Sequence, residues 1–115
     1  MTDDCLFCDI AGGKISADIV YQDDELVAFK DINPQAPVHI LLIPREHIGT
    51  LNDVSGENEA LAGKLLVKAG ELARTEGLSE KGYRVVLNCG RDAGQEVFHI
   101  HAHILGGRKF AWPPG

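Results

Sequence analysis

The segment His99-Ile100-His101-Ala102-His103-Ile104-Leu105 alternates imidazole with apolar side chains at a period of two. In an extended strand, next-but-one side chains share a face. His99, His101 and His103 therefore point one way, and Ile100, Ala102 and Ile104 point the other way, into a core. The spacing separates next-but-one Cα atoms by roughly 6.6 Å and His99 from His103 by roughly 13 Å. One zinc ion, with Zn–N bonds of about 2.0–2.1 Å, can take two neighbouring rings of such a row but is badly matched to all three. The row predicts two adjacent sites served by one strand.

The rest of the chain supplies the frame. At 115 residues it is long enough for one core, and a single domain spanning 1–115 is expected. Residues 6–15 predict a short helix closed by Gly12-Gly13. Ile19-Val20-Tyr21-Gln22 and Leu26-Val27-Ala28-Phe29 flank an acidic turn at Asp23-Asp24, the pattern of a hairpin. The prolines of Asn33-Pro34-Gln35-Ala36-Pro37 hold a loop, and Val38 to Ile43 form a strand that stops at Pro44. Ser55 as N-cap, Glu57 and Glu59 near the positive end of the dipole, and Gly77 as the stop frame one long helix. Its buried face carries Leu61, Leu65, Ala69 and Leu72. Gly63 and Gly70, seven apart, either admit another helix closely or are ordinary tolerated glycines. Strands are predicted over Tyr83–Asn88 and Val97–Leu105, joined by the glycine-bearing loop 89–95. The elements together predict an α+β fold with an antiparallel sheet.

Composition narrows the function. A hydrophobic fraction of 44% and a charged fraction of 24% are those of an ordinary soluble domain. A net charge of −6 argues against a duplex nucleic-acid partner, while leaving room for a small anion held by backbone N–H groups. The acidic start Met1-Thr2-Asp3-Asp4 carries no signal-peptide pattern, and the apolar run Ile40–Ile43 is too short for a membrane. Three cysteines, two of them in a C-x-x-C, read as metal or redox chemistry rather than a disulfide framework. A cytoplasmic location is expected.

Each site has a candidate tenant. Cys5-Leu6-Phe7-Cys8 offers two thiolates, and His47 follows a strand end. With His99 these would close an S₂N₂ tetrahedron around a structural zinc. The same residues also fit a reduced C-x-x-C beside ordinary histidines. A thioredoxin-like redox role lacks the strand-then-helix context. The second tenant is a phosphoryl group. Imidazole titrates near neutrality and can attack phosphorus without first losing a proton from a high-pKa hydroxyl. His101, in mid-strand, is best placed as nucleophile. His103, Asn88 and the backbone of Gly94-Gln95-Glu96-Val97 could surround the phosphate. A solvated polar strand face is the bland alternative.

The His-φ-His-φ-His-φ-φ pattern, φ being apolar, resembles the signature of the histidine-triad superfamily of nucleotide hydrolases and transferases. Phe29-Lys30-Asp31-Ile32-Asn33-Pro34-Gln35-Ala36-Pro37-Val38-His39 resembles that family's Asp-Ile-x-Pro-Gln-Ala-Pro-x-His segment. Asn88-Cys89-Gly90 through Gly94-Gln95 is similar to the loop before the triad. Gly106-Gly107-Arg108 and Trp112-Pro113-Pro114-Gly115 are similar to the nucleotide-binding, purine nucleoside phosphoramidase branch. A histidine at 103, where uridylyltransferases typically carry glutamine, favours a hydrolase.

The resemblance implies an antiparallel sheet of about five strands with one long and one short helix, extended across a two-fold homodimer. It implies hydrolysis of nucleoside 5′-monophosphoramidates or acyl-adenylates through a nucleotidyl-His101 intermediate. His103 and His39 would support that chemistry. Asp31 would bind the ribose with Ile32 beside it, while Phe7, Ile10 and Phe29 would line the base pocket. Asn88, Gly94, Gln95, Glu96, Val97 and His103 would surround the phosphate. Zinc on Cys5, Cys8, His47 and His99 resembles a site in some microbial members. Glu96 stands where well-studied relatives of this branch carry a serine, and is expected to face an amine leaving group. A dinucleoside polyphosphate hydrolase is the nearest rival, against which the chain's ending argues. A nucleotide-binding scaffold with incidental catalysis is the rival from another class.

Overall fold

The computed structural model describes residues 5–115. Five strands form one antiparallel sheet in the order β1-β2-β3-β5-β4. They are β1 Ile19–Gln22, β2 Leu26–Lys30, β3 Val38–Pro44, β4 Tyr83–Val86 and β5 Ala102–Gly106. The expected α+β architecture is the one observed.

Each face of the sheet has its own core. On one face α2, Glu59–Thr75, packs Leu65, Ala69, Leu72 and Ala73 onto Leu26, Ala28, Ile40, Leu42, Ala102 and Ile104. On the other, the short helix α1, Leu6–Ala11, packs Phe7 and Ile10 onto Val27, Phe29, Leu41 and Ile43. β2 and β3 are buried on both faces, which explains their near-continuous apolar runs.

Four boundaries differ from the sequence expectation. α1 ends at Ala11 rather than 15. The N–H groups of Lys14 and Ile15 both turn back to the Asp9 carbonyl, and Gly13 takes φ +79°, which ends a helix. Ser55 caps a 3₁₀ turn, Gly56–Asn58, that feeds α2, instead of capping α2 itself. The ladder containing the histidines begins only at Ala102, not at Val97. The Ile100 N–H bonds the Ile48 carbonyl at 2.7 Å, and the Gln95 amide takes the Val97 carbonyl, so neither joins the sheet. On the adjacent strand Leu87 and Asn88 also leave the ladder, whose last pair is Val86 with His103.

Gly63 has open space where a side chain would begin, and Gly70 faces the Tyr83 hydroxyl, so among the described residues no helix approaches either closely. Among the described residues no helix is long and apolar enough to cross a membrane.

Candidate active site and metal cluster

All three histidines of the row lie on the α1 side of the sheet even though only His103 is in the ladder. Phe7 presents its ring edgewise to His99 and His101, at centroid distances of 6.0 and 4.9 Å. His39, from β3, joins them across the sheet, its ring 5.2 Å from that of His103. The rings are largely removed from water, and no buried side-chain nitrogen or oxygen among the described residues lacks a partner.

The hydrogen bonds fix which nitrogen of each neutral ring carries the proton. The Gln35 N–H donates to His39 Nδ1 at 3.0 Å, so His39 is protonated at Nε2. Nε2–H then donates to His103 Nδ1 at 2.9 Å, leaving Nε2–H as the remaining donor of His103. His101 Nδ1 lies 2.8 Å from the His99 carbonyl, which can only accept, so the His101 lone pair is on Nε2. By the same logic His99 donates Nε2–H to the Pro44 carbonyl at 2.7 Å and keeps a lone pair on Nδ1.

Electrostatics keep His39, His99 and His103 neutral. Burial, then the neighbouring His101 and His39 rings, push the pKa of His103 down to about 4. Burial also lowers that of His39, against an opposing pull from Asp31. His99 is lowered chiefly by burial, with the Pro44 carbonyl opposing. The Asp31 carboxylate lies 3.4 Å from His39 Nε2. With His39 neutral and its proton directed at His103, this is a secondary polar contact rather than an ion pair. Asp31, His39 and His103 also converge closely enough to hold a cation. The proton between the two rings already occupies the lone pair such an ion would need.

His101 and His103 open into a cleft of about 560 Å³. Phe7, Ile10, Phe29, Asp31, Ile32, His39, Asn88, Gly94, Glu96, Val97, His101 and His103 all line it, as do Lys30, Gln35 and Asn33. Ile32 is fully exposed at its rim. Gln95, expected beside the phosphate, departs from this pattern because its side chain is buried elsewhere. Its amide accepts from Gly90 N–H at 2.9 Å and donates to the Gly49 and Val97 carbonyls at 2.9 and 3.0 Å. It braces the loop that carries Gly94 and Glu96. Sequence reasoning also missed the roles of Gln35, Pro44 and the His99 carbonyl, which act through main-chain atoms. Arg45 escaped notice too. It donates to the carbonyls of Ala11 and Asp23, tying α1 to the hairpin.

Beside the cleft, Cys5, Cys8, His47 and His99 bring one donor atom each within 4.8 Å of one another. His99 Nδ1 is 3.3 Å from Cys5 Sγ and 3.5 Å from Cys8 Sγ, and His47 Nδ1 is 3.3 Å from Cys8 Sγ. In a tetrahedron with Zn–S of 2.3 Å and Zn–N of about 2.0–2.1 Å, sulfur and nitrogen stand about 3.5 Å apart. The donor set, the spacing and the inward lone pair of His99 fit such an ion.

A five-stranded antiparallel sheet that presents hydrogen-bond-directed imidazoles to a cleft defines a histidine-triad protein. The HIT domain family matches residues 12–110, and the chain belongs to that family. It is 51% identical over 108 residues to the purine nucleoside phosphoramidase of Escherichia coli K12, covering 94% of this chain and 91% of that protein. It is also 51% identical, over the full length of both, to an uncharacterized HIT-like protein of Synechococcus elongatus. The crystal structure of a HIT family hydrolase from Legionella pneumophila superposes with a TM-score of 0.96 at 54% identity, covering 97% of this chain and all of that one.

Proposed function

We propose that the protein is a hydrolase of nucleoside 5′-monophosphoramidates and acyl-adenylates that works through a covalent nucleotidyl-His101. The observation that carries this reading is the hydrogen bond from His101 Nδ1 to the His99 carbonyl, which leaves a lone pair on Nε2 in the cleft. That nitrogen attacks the α-phosphorus; in a phosphoramidate the P–N bond breaks and the amine departs with the bonding pair and a proton from solvent, and in an acyl-adenylate the P–O bond breaks and a carboxylate departs. Water then forms the new P–O bond, releases the monophosphate and restores Nε2. His103, neutral and presenting Nε2–H, stabilises the non-bridging oxygens together with the backbone N–H groups of Glu96 and Val97, those of Gly94 and Gln95 being taken by the Arg91 and Gly90 carbonyls. Asp31 takes the ribose hydroxyls, and Phe7, Ile10 and Phe29 hold the base. Glu96, exposed on the cleft wall with no partner among the described residues, favours leaving groups that carry positive charge. The 51% identity to a purine nucleoside phosphoramidase supports the same reading.

Incubation with adenosine 5′-phosphoramidate, followed by mass spectrometry, is expected to show adenylylated His101. His101→Ala is expected to bind AMP without turnover. Full turnover in that variant would end the proposal.

Zinc is the fitting occupant of the Cys5, Cys8, His47 and His99 set. A two-fold homodimer is supported by two features. β4 is an edge strand, and Leu66 and Val67 leave an apolar stripe exposed on α2 beside Gly63 and Gly70. Sedimentation equilibrium is expected to give twice the chain mass, and Val67→Asp to halve it. A monomer in the unaltered protein would remove the dimer from this reading.

A further inference from the structure

We propose that the four-residue cluster and the cleft are thermodynamically coupled, so that a tetrahedral divalent cation and a nucleotide each tighten the binding of the other. This rests on the nucleotide reading above and adds to it a second ligand with a defined route of communication.

Two short physical links join the sites. The first is His99. Its ring is fully buried, with Nδ1 among the thiols and Nε2–H on the Pro44 carbonyl, while its own carbonyl receives the His101 proton. Whatever fixes this ring also fixes the peptide that orients His101. The second is α1. Cys5 and Cys8 bracket Phe7 in sequence, and Cys5 Sγ accepts the Cys8 N–H as the helix N-cap. A helix of six residues has little stability of its own, so its placement depends on what holds its start. Phe7 and Ile10 project from it into the cleft wall, and Phe7 also contacts Phe29 edgewise at 5.5 Å. A cation on the two thiolates would clamp the start of α1. A base against Phe7 would clamp the same helix from its other side. Either ligand removes freedom that the second would otherwise have to remove, which is positive cooperativity without any large movement.

Linkage makes the coupling reciprocal, and that supplies a readout independent of turnover. The protein is stripped with a chelator and titrated with Co²⁺, with and without saturating AMP. Thiolate-to-cobalt charge-transfer and tetrahedral d–d bands report binding, and circular dichroism checks that the stripped chain stays folded. One Co²⁺ per chain is expected, bound about tenfold more tightly with AMP present. AMP measured by calorimetry should bind tighter to the loaded protein by the same factor. Phe7→Leu should retain the cobalt spectrum while the factor shrinks towards one. If Co²⁺ binds equally well with and without AMP, the coupling is overturned although both sites survive. If no tetrahedral cobalt spectrum develops, the coupling falls with the metal reading. If AMP binds to neither form, the proposal falls together with the nucleotide reading itself. If stripping unfolds the chain, the test moves to Cys8→Ser, whose AMP affinity should drop by a similar factor, and an unchanged affinity there overturns the proposal.

Discussion

Lowering the pH from 7 to 5 should destabilise the protein through His103. In the folded chain its pKa is pushed down to about 4, against about 6.5 for an unhindered imidazole. Between these values the unfolded chain binds the proton and the folded chain does not, so stability falls as pH falls. Above about 6.5 the contribution is intact, and below about 4 both states are protonated and no more is lost. Linkage with these two values gives a loss of about 2 kcal/mol between pH 7 and 5, or about 1–2 kcal/mol after allowing for the partial exposure of the ring. Ordinary carboxylates are still mostly ionised at pH 5, which isolates the effect. The assay is urea unfolding at pH 7, 6 and 5 of the unaltered protein and of His103→Gln. Glutamine can still accept the His39 Nε2–H but cannot take up a proton, and His39 and His99 are common to both chains. The variant should lose less stability over this range, by about 1 kcal/mol or more. Parallel pH dependences in the two proteins would refute the assignment of His103 as a neutral, proton-resisting ring.

Gln95→Ala should cost about 2–3 kcal/mol in urea unfolding, because it leaves the Gly90 N–H and the Gly49 and Val97 carbonyls without their partner. It should also lower kcat/KM for a phosphoramidate, and unchanged stability would show that the loop does not need the brace. Gly106→Ala should cost about 1–3 kcal/mol, read as a fall in Tm, since the new methyl would sit 2.6 Å from Leu78 Cδ1 in the α2 core. An unaltered Tm would mean that Leu78 yields without strain. The Asp23 carboxyl is held well below the usual range by the Tyr21 hydroxyl first, then by the N–H groups of Glu25 and Leu26 and by Lys64, with partial burial opposing. Its stabilisation is present above about pH 3.9 and is lost on further acidification, so Tyr21→Phe should unfold at a higher pH in an acid titration. An unchanged acid midpoint would detach that hydroxyl from the hairpin's stability.

What was legible in the sequence depended on how local the determinant was. Period-two alternation put the histidines and Ile100, Ala102 and Ile104 on opposite faces, and helical spacing picked the buried face of α2. Both are set by side-chain direction, which survives even where the strand ladder is missing at residues 99–101. The C-x-x-C, His47 and His99 could be grouped because ligand chemistry is written in residue type. The boundaries near the site were not legible. Whether Ile100 pairs with a sheet strand or with the Ile48 carbonyl is a competition between backbone acceptors far apart in the chain. Gln95 shows the same limit. Its place next to Gly94 suggested a ligand contact, while three distant or main-chain partners claim its amide.

The deeper difficulty is that residue type does not say what a histidine does. His101 and His103 have ring centroids 5.0 Å apart and line one cleft, yet they present opposite groups to it. His101 offers a lone pair because its proton is directed at a carbonyl. His103 offers a proton because its lone pair receives one from His39, which is set in turn by the Gln35 N–H. Two backbone groups, one acceptor and one donor, therefore assign two chemically identical side chains to different tasks. Because the chain of protons from Gln35 to His103 runs in one direction and starts at a backbone N–H that can only donate, charging either ring at its Nδ1 would set donor against donor and break the chain. The depressed pKa values of His39 and His103 are thus part of the same device, since burial that keeps the rings neutral also keeps the direction fixed.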